Sequence, residues 1–110
     1  MAEESYVIIN TTVSDEKEAK LLAGMLLERK KAACVSIVPD VTSLFRWKEH
    51  IEESVEYLLV IKTRASLIAG VTALLKEKHS YHNPEIIALP IIGGSREYLD
   101  WIDQETEETK

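Results

Sequence analysis

The stretch VTSLFRWKEHIEESVEYLLVIKT, residues 41–63, decides the fold. Val41 to Lys48 and Ile51 to Thr63 are both rich in β-branched and aromatic residues, and between them stands a polar tip at Glu49 and His50. This is the pattern of two long strands meeting in a hairpin. Within the second strand, Leu58, Leu59, Val60 and Ile61 follow one another without a polar interruption. A sheet with one wet face alternates apolar and polar side chains, so a continuous run requires both faces to be covered. Ile86 to Leu89 and Tyr6 to Ile9 run the same way. Leaving about five such side chains in water forgoes roughly 1.5–3 kcal/mol each, a total that rivals the stability of a small domain.

Working outward, Ala32 to Val38 reads as the strand before the hairpin, closed by a turn or bulge at Pro39 and Asp40. Upstream, Ser14 is placed to cap a helix whose first turn carries Asp15 and Glu16. Ala19, Leu22, Ala23 and Leu26 fall on one stripe of that helix, and the basic run Arg29 to Lys31 suits its C-terminal end. Tyr6 to Val13 is the first strand. Downstream of the hairpin, a second helix capped by Thr63 or Ser66 aligns Leu67, Val71, Leu74 and Leu75. Gly70 inside it costs about 1 kcal/mol against alanine, which implies a close packing contact. His79 to Pro84 is a polar loop, and Ile86 to Ile92 is a fourth strand. Pro90 restricts that strand to an edge or a local break. Gly93 and Gly94 turn the chain, Ser95 caps a short helix with Tyr98, Leu99 and Ile102, and residues 103–110 form an acidic tail expected to fray.

The order βαββαβ plus a C-terminal helix predicts an α+β, ferredoxin-like split βαβ sandwich in a single domain over residues 1–110. The terminal helix is too short to cover the second face of a four-stranded sheet. Self-association covers it, with a subunit number that the pattern leaves open.

Composition narrows the function. The 110 residues are 45% hydrophobic and carry a net charge of −6, with no basic stripe. That excludes a general nucleic-acid binder. Cys34 is the only cysteine, so no intrachain disulfide forms, as in a reducing compartment. The acidic start Met1 to Ser5 lacks the features of a secretory signal. The apolar runs fall far short of the roughly 20 residues of a membrane span. The expectation is a soluble cytoplasmic protein with no nucleic-acid or membrane partner.

Five blocks carry a further likeness: Ala32-Ala33-Cys34-Val35, Thr42 to Lys48, Ile61-Lys62-Thr63, His79 to Ile87 with Leu89-Pro90, and Tyr98 to Ile102. Together and in this order they resemble the CutA family of divalent-cation-tolerance proteins over nearly the whole chain. Two positions depart from the family pattern: Ser80 stands where proline is frequent, and Glu49 where glycine is usual. The resemblance implies a homotrimer of ferredoxin-like subunits with hairpin strands pairing between subunits. It also implies a part in tolerance or response to metal ions, with copper or another divalent cation bound. The likeness of that trimer to nitrogen-signalling PII proteins adds a small-molecule effector cleft between subunits, and some animal relatives point instead to a scaffold that anchors a protein partner.

The candidate site residues each admit two readings. Cys34 is a soft ligand suited to copper or zinc, or a small buried hydrophobe within a strand. His79, His82 and Glu85 are placed to complete a metal site with it, or to serve as hydrogen-bonded loop residues. Trp47 and Trp101, with Tyr81 and Tyr98, are set to line an inter-subunit cleft, either stacking a ligand or packing at the interface. Lys62 either holds an anion in that cleft or lays its stem along the sheet. His50 is a surface residue. No phosphate-binding glycine loop and no catalytic spacing of Ser, His, Asp or Cys is present, so the expectation is a binding protein and not an enzyme.

Overall fold

The computed structural model describes residues 5–108. Strand β1 (Tyr6–Val13) leads into helix α1 (Glu16–Glu28), then come strands β2 (Cys34–Trp47) and β3 (His50–Arg64). A single 3-10 turn (Ala65–Leu67) precedes α2 (Ile68–Lys78), followed by β4 (Ile87–Ile91) and α3 (Arg96–Glu105). The strands form one antiparallel sheet in the order β2-β3-β1-β4. This is the expected α+β, ferredoxin-like arrangement. β4 lies at one edge with Pro90 opposite Val7, which is where a residue without an N–H is tolerated.

Side chains alternate across the sheet. Val7, Ile9 and Val13 of β1 and Leu59 and Ile61 of β3 point to the inner face, where Ala19, Leu22 and Leu26 of α1 and Val71, Leu74 and Leu75 of α2 pack on them. On the outer face, α3 covers one end only: Leu99 and Ile102 bury Tyr6, with Ala33 and Ile91 beside them. Beyond α3 much of the outer face is open, and Val38, Ile87 and Leu89 are exposed.

The hairpin runs past the helices and stretches the molecule to 49 Å in its longest dimension. A register shift between Val38 and Val41 marks the expected bulge, with Asp40 at φ 60°. Trp47 pairs with His50 across a two-residue turn in which Lys48 and Glu49 are both left-handed, at φ 48° and 68°. That is the turn geometry whose twist matches a hairpin.

Several local expectations are corrected. Asp15, not Ser14, caps α1 by accepting the Glu18 N–H at 2.8 Å. The basic run lies beyond the last turn of α1, in a Schellman cap: Lys30 is left-handed, its N–H meets Leu27 O, and the Lys31 N–H meets Leu26 O. Neither Thr63 nor Ser66 caps α2, which begins through the 3-10 turn with no side-chain cap. Thr63 instead donates to Lys31 O at 2.6 Å. Gly70 has its close contact, because a Cβ there would stand 3.3 Å from Lys31 Nζ.

The tail does not fray at residue 103. Tyr6 donates to Asp103 at 2.5 Å, and Thr106 is buried and bonded by Arg64. The Glu107 N–H meets Lys30 O at 2.8 Å, its carboxylate pairs with Lys31, and its carbonyl accepts from Arg64. The readings that concern residues 1–4 and 109–110 lie outside the described residues.

Candidate functional site

β4 pairs with β1 only from Tyr6 to Asn10, so the Thr12 end of β1, paired with β3 on one side, has no strand on the other. The loop after α2 fills that edge. The His79 side chain is fully buried there, with Nε2 2.9 Å from Thr12 O and Nδ1 accepting the Tyr81 N–H at 3.0 Å. A carbonyl only accepts, so the network assigns the proton to Nε2. Both ring nitrogens are then in use, and His79 is corrected from metal ligand to loop anchor.

The departure at Ser80 has a physical reason. Its N–H and its hydroxyl each donate to the Glu18 carboxylate at 2.8 Å. A proline would stiffen this position by its ring; serine fixes it by two charge-assisted hydrogen bonds, the first of which proline has no N–H to make.

Tyr81 then reaches round to the outer face and donates to Glu56 at 2.6 Å. Burial, reinforced by this carboxylate, pushes the Tyr81 hydroxyl well above the ordinary tyrosine range, so it stays a donor. Glu56 is only 6% exposed. The two residues lie at the bottom of a groove of about 1110 Å³, walled on one side by the loop with His82 and Glu85 and on the other by the hairpin with Phe45 and Trp47.

The remaining candidates sit elsewhere. Cys34 pairs in register with Lys62, whose Nζ is 3.8 Å from Sγ and donates to Ser36. Tyr98 approaches the same thiol from α3; its hydroxyl pKa is raised by burial and then by Cys34. Trp101 packs on Tyr98 at 5.4 Å between ring centroids. Lys62 and Thr12 are held by β1 positions four residues apart, about 13 Å along the strand. The structure therefore divides the expected set in two. Tyr81, His82, Glu85 and Trp47 line the groove, while Cys34, Lys62, Tyr98 and Trp101 gather near α3. Among the described residues of one chain, no three His, Cys, Asp or Glu side chains converge as a metal site. Sequence reasoning missed Glu56, Glu18 and Ser36. An ionisable residue two positions before the apolar run of β3 is the one available signal for Glu56.

Comparison with known proteins places this geometry. The family model described as CutA1 divalent ion tolerance protein matches residues 7–105. The chain is 42% identical over 103 residues to the rice protein named Protein CutA 1, chloroplastic, covering 94% of this chain and 58% of that one. It is 44% identical to the Divalent-cation tolerance protein CutA of Thermus thermophilus, covering 94% and 98%. The crystal structure of rice CutA1 superposes with a TM-score of 0.93 at 41% identity, covering 96% of each chain. The chain spans little more than half the length of its plant and mammalian relatives. The expected cytoplasmic location is overturned as a family inference: the rice relative is named chloroplastic, and the similar structure from Archaeoglobus fulgidus is described as periplasmic. With the family model matching all four strands and three helices, this chain belongs to the CutA1 divalent ion tolerance family.

Proposed function

We propose that this chain is a binding protein of divalent-cation tolerance that works as a homotrimer and takes up copper or another divalent cation where subunits meet. The observation that carries the assembly is the exposed apolar part of the outer face together with the hairpin, which no element among the described residues covers. Cation tolerance comes to this chain from its relatives' names, and the metal site from the donor types it holds. Cys34 is partly exposed and offers a thiol; His82 and Glu85 are exposed on the other half of the divided set. Thiolate and imidazole together favour copper or zinc over magnesium and calcium, which want clustered oxygens. The two halves combine only if Cys34 of one subunit meets the loop of the next.

Native mass spectrometry of the isolated protein reports subunit number and bound metal together, and the expected species is a trimer. Calorimetry should then give copper binding at micromolar affinity or tighter, about 8 kcal/mol or more. Cys34→Ser and His82→Ala, each confirmed trimeric, should weaken it tenfold or more. Unchanged affinity in both would leave a trimeric scaffold that holds partners without a specific metal.

A second reading, a small-molecule effector cleft, is favoured by one observation: the groove above Glu56 and Tyr81 is large enough for an organic ligand.

A further inference from the structure

His79 is an anchor that holds in one charge state only. Its side chain is fully buried, and the fold uses its two ring nitrogens in opposite senses. Nε2–H donates to Thr12 O at 2.9 Å, and Nδ1 accepts the Tyr81 N–H at 3.0 Å. Neutral imidazole, as the Nε2–H tautomer, does both. Imidazolium carries a proton on each nitrogen, so an Nδ1–H would confront the Tyr81 N–H and one of the two donors would have to leave.

The surroundings decide which one leaves. Glu18 Oε2 stands 3.7 Å from Nδ1, beyond hydrogen-bond length but within reach of a small movement of the ring. That carboxylate is largely buried and already accepts the Ser80 N–H on Oε2 and the Ser80 hydroxyl on Oε1. A carboxylate oxygen has two lone pairs, so Oε2 can take Nδ1–H without releasing Ser80. The charged groups that face His79 and Tyr81 are acidic: Glu18 from α1, Asp15 at the cap of that helix, and Glu56 from β3 at the Tyr81 hydroxyl. β1 contributes the uncharged Thr12 carbonyl, while Lys78 and His82, the basic neighbours in sequence, are exposed. A buried positive charge persists only beside a partner of opposite sign, and Glu18 is placed to be that partner. The Tyr81 N–H is therefore the donor that gives way.

The consequence falls on the segment after Ser80. Neutral His79 holds Tyr81 by its backbone and packs against its ring at 4.8 Å between centroids, which sets the hydroxyl on Glu56. With Nδ1 turned to Glu18, Ser80 stays tied to the same carboxylate while Tyr81 loses its backbone bond. The hinge falls between these two residues.

We propose that His79 is a proton-operated latch: neutral, it locks residues 81–85 beside the unpaired end of β1, and charged, it changes partner to Glu18 and frees them. The inference rests on contacts inside one chain and depends neither on the metal site nor on the effector cleft.

The test is NMR on the full-length protein from pH 8 to pH 5, the interval in which histidine as a residue type changes charge. It follows the ring nitrogens of the three histidines and the protection factors of the backbone amides. At pH 8 His79 should show the Nε2–H tautomer with the Tyr81 amide protected. On acidification the ring should gain its second proton, and the Tyr81 protection factor should fall tenfold or more in the same step while Ser80 keeps its own. The exposed His50 and His82 serve as titrating references. Glu18→Gln retains an acceptor for Ser80 but withdraws the charge, and should move the step to lower pH. His79→Gln keeps a donor for Thr12 O and cannot titrate, so it should abolish the step; if that variant does not fold, Glu18→Gln still decides. A His79 ring that stays neutral down to pH 5 would overturn the proposal, as would protonation that leaves Tyr81 protected. So would a Tyr81 step that persists at the same pH in either variant, or a loss of protection spread over the whole sheet, which is acid unfolding.

Discussion

The two ends of β3 follow different rules. From Leu59 to Thr63 the strand is sorted: the inner-face residues Leu59, Ile61 and Thr63 are fully buried under the helices, and their neighbours face outward. From Ile51 to Val55, and along the paired half of β2, both sides mix polar residues with large exposed apolar ones. Leu44, Ile51 and Val55 lie on one side of the hairpin and Phe45 and Trp47 on the other, all exposed. The cause is a mismatch of lengths. β2 and β3 have 14 and 15 residues, whereas β1 has 8 and β4 has 5. Two helices of 13 and 11 residues cover the sheet only where four strands run together. The surplus strand extends past the cover that the described helices supply.

A charge on the outer face gives the largest expected effect. Val60 is half-buried there, between Asn10 and Ser36 in register. In a lone chain a glutamate at this position reaches water. Against a second subunit it is buried without a partner, at several kcal/mol. Val60→Glu should therefore give a folded monomer by light scattering with its far-UV circular dichroism retained. A trimer that survives the change would show that the outer face is not the interface.

Trp47 sharpens the comparison at the tip. It is 49% exposed in the single chain and has Lys48 over its ring at 5.8 Å. Truncating it in a monomer would cost little. If the tip anchors on a neighbour, Trp47→Ala should weaken the assembly by about 2–4 kcal/mol, as loss of a buried aromatic anchor does. The dissociation midpoint in denaturant at fixed protein concentration measures this, and an unmoved midpoint would make Trp47 a surface residue.

What could be read in the sequence was what local pattern controls. Periodicity gave both helix stripes, the Pro39-Asp40 irregularity gave the bulge, Pro90 gave the edge strand, and Ser95 gave the α3 cap, whose side chain accepts the Tyr98 N–H. The Ser14 error is an offset of one between two adjacent good capping residues. The α2 start escaped because a 3-10 turn carries no capping signature. The tail and the groove escaped for a different reason. Lys31 and Glu107 are 76 residues apart, His79 and Thr12 are 67 apart, and Ser80 and Glu18 are 62 apart. No window along the chain holds both members of such a pair, so His79 looked free for a metal when the fold had already engaged both its nitrogens.

The covered end of the outer face offers an alkaline pH handle. Tyr6 donates to Asp103 beneath α3, and this hydrogen bond, helped by burial, lifts the Tyr6 hydroxyl from about 10 to about 12. A group whose folded pKa is raised keeps its stabilisation below the unfolded value and loses it as pH climbs towards the folded one. Stability contributed by α3 docking should thus be intact up to pH 10 and decline between pH 10 and 12. Tyr6→Phe removes the titrating group, and its denaturation midpoint should be flatter across that interval. An equal decline in the variant would assign the loss to other groups.

The smallest effect lies at the turn itself. Lys48 and Glu49 both hold positive φ, in a turn type that favours asparagine and glycine. A left-handed L-residue costs roughly 1–2 kcal/mol through contact of its Cβ with the backbone. Glycine removes that contact but gives the unfolded chain more freedom to lose, which offsets part of the gain. Glu49→Gly should therefore stabilise by up to about 1 kcal/mol, seen as a higher denaturation midpoint at fixed protein concentration. The same replacement at Glu52, inside the strand, should lower the midpoint, since glycine there is all loss. Should Glu49→Gly also lower it, the Glu49 side chain must be making a contact in the assembly worth more than the strain it carries, and the tip would join Trp47 among the residues that a second subunit covers.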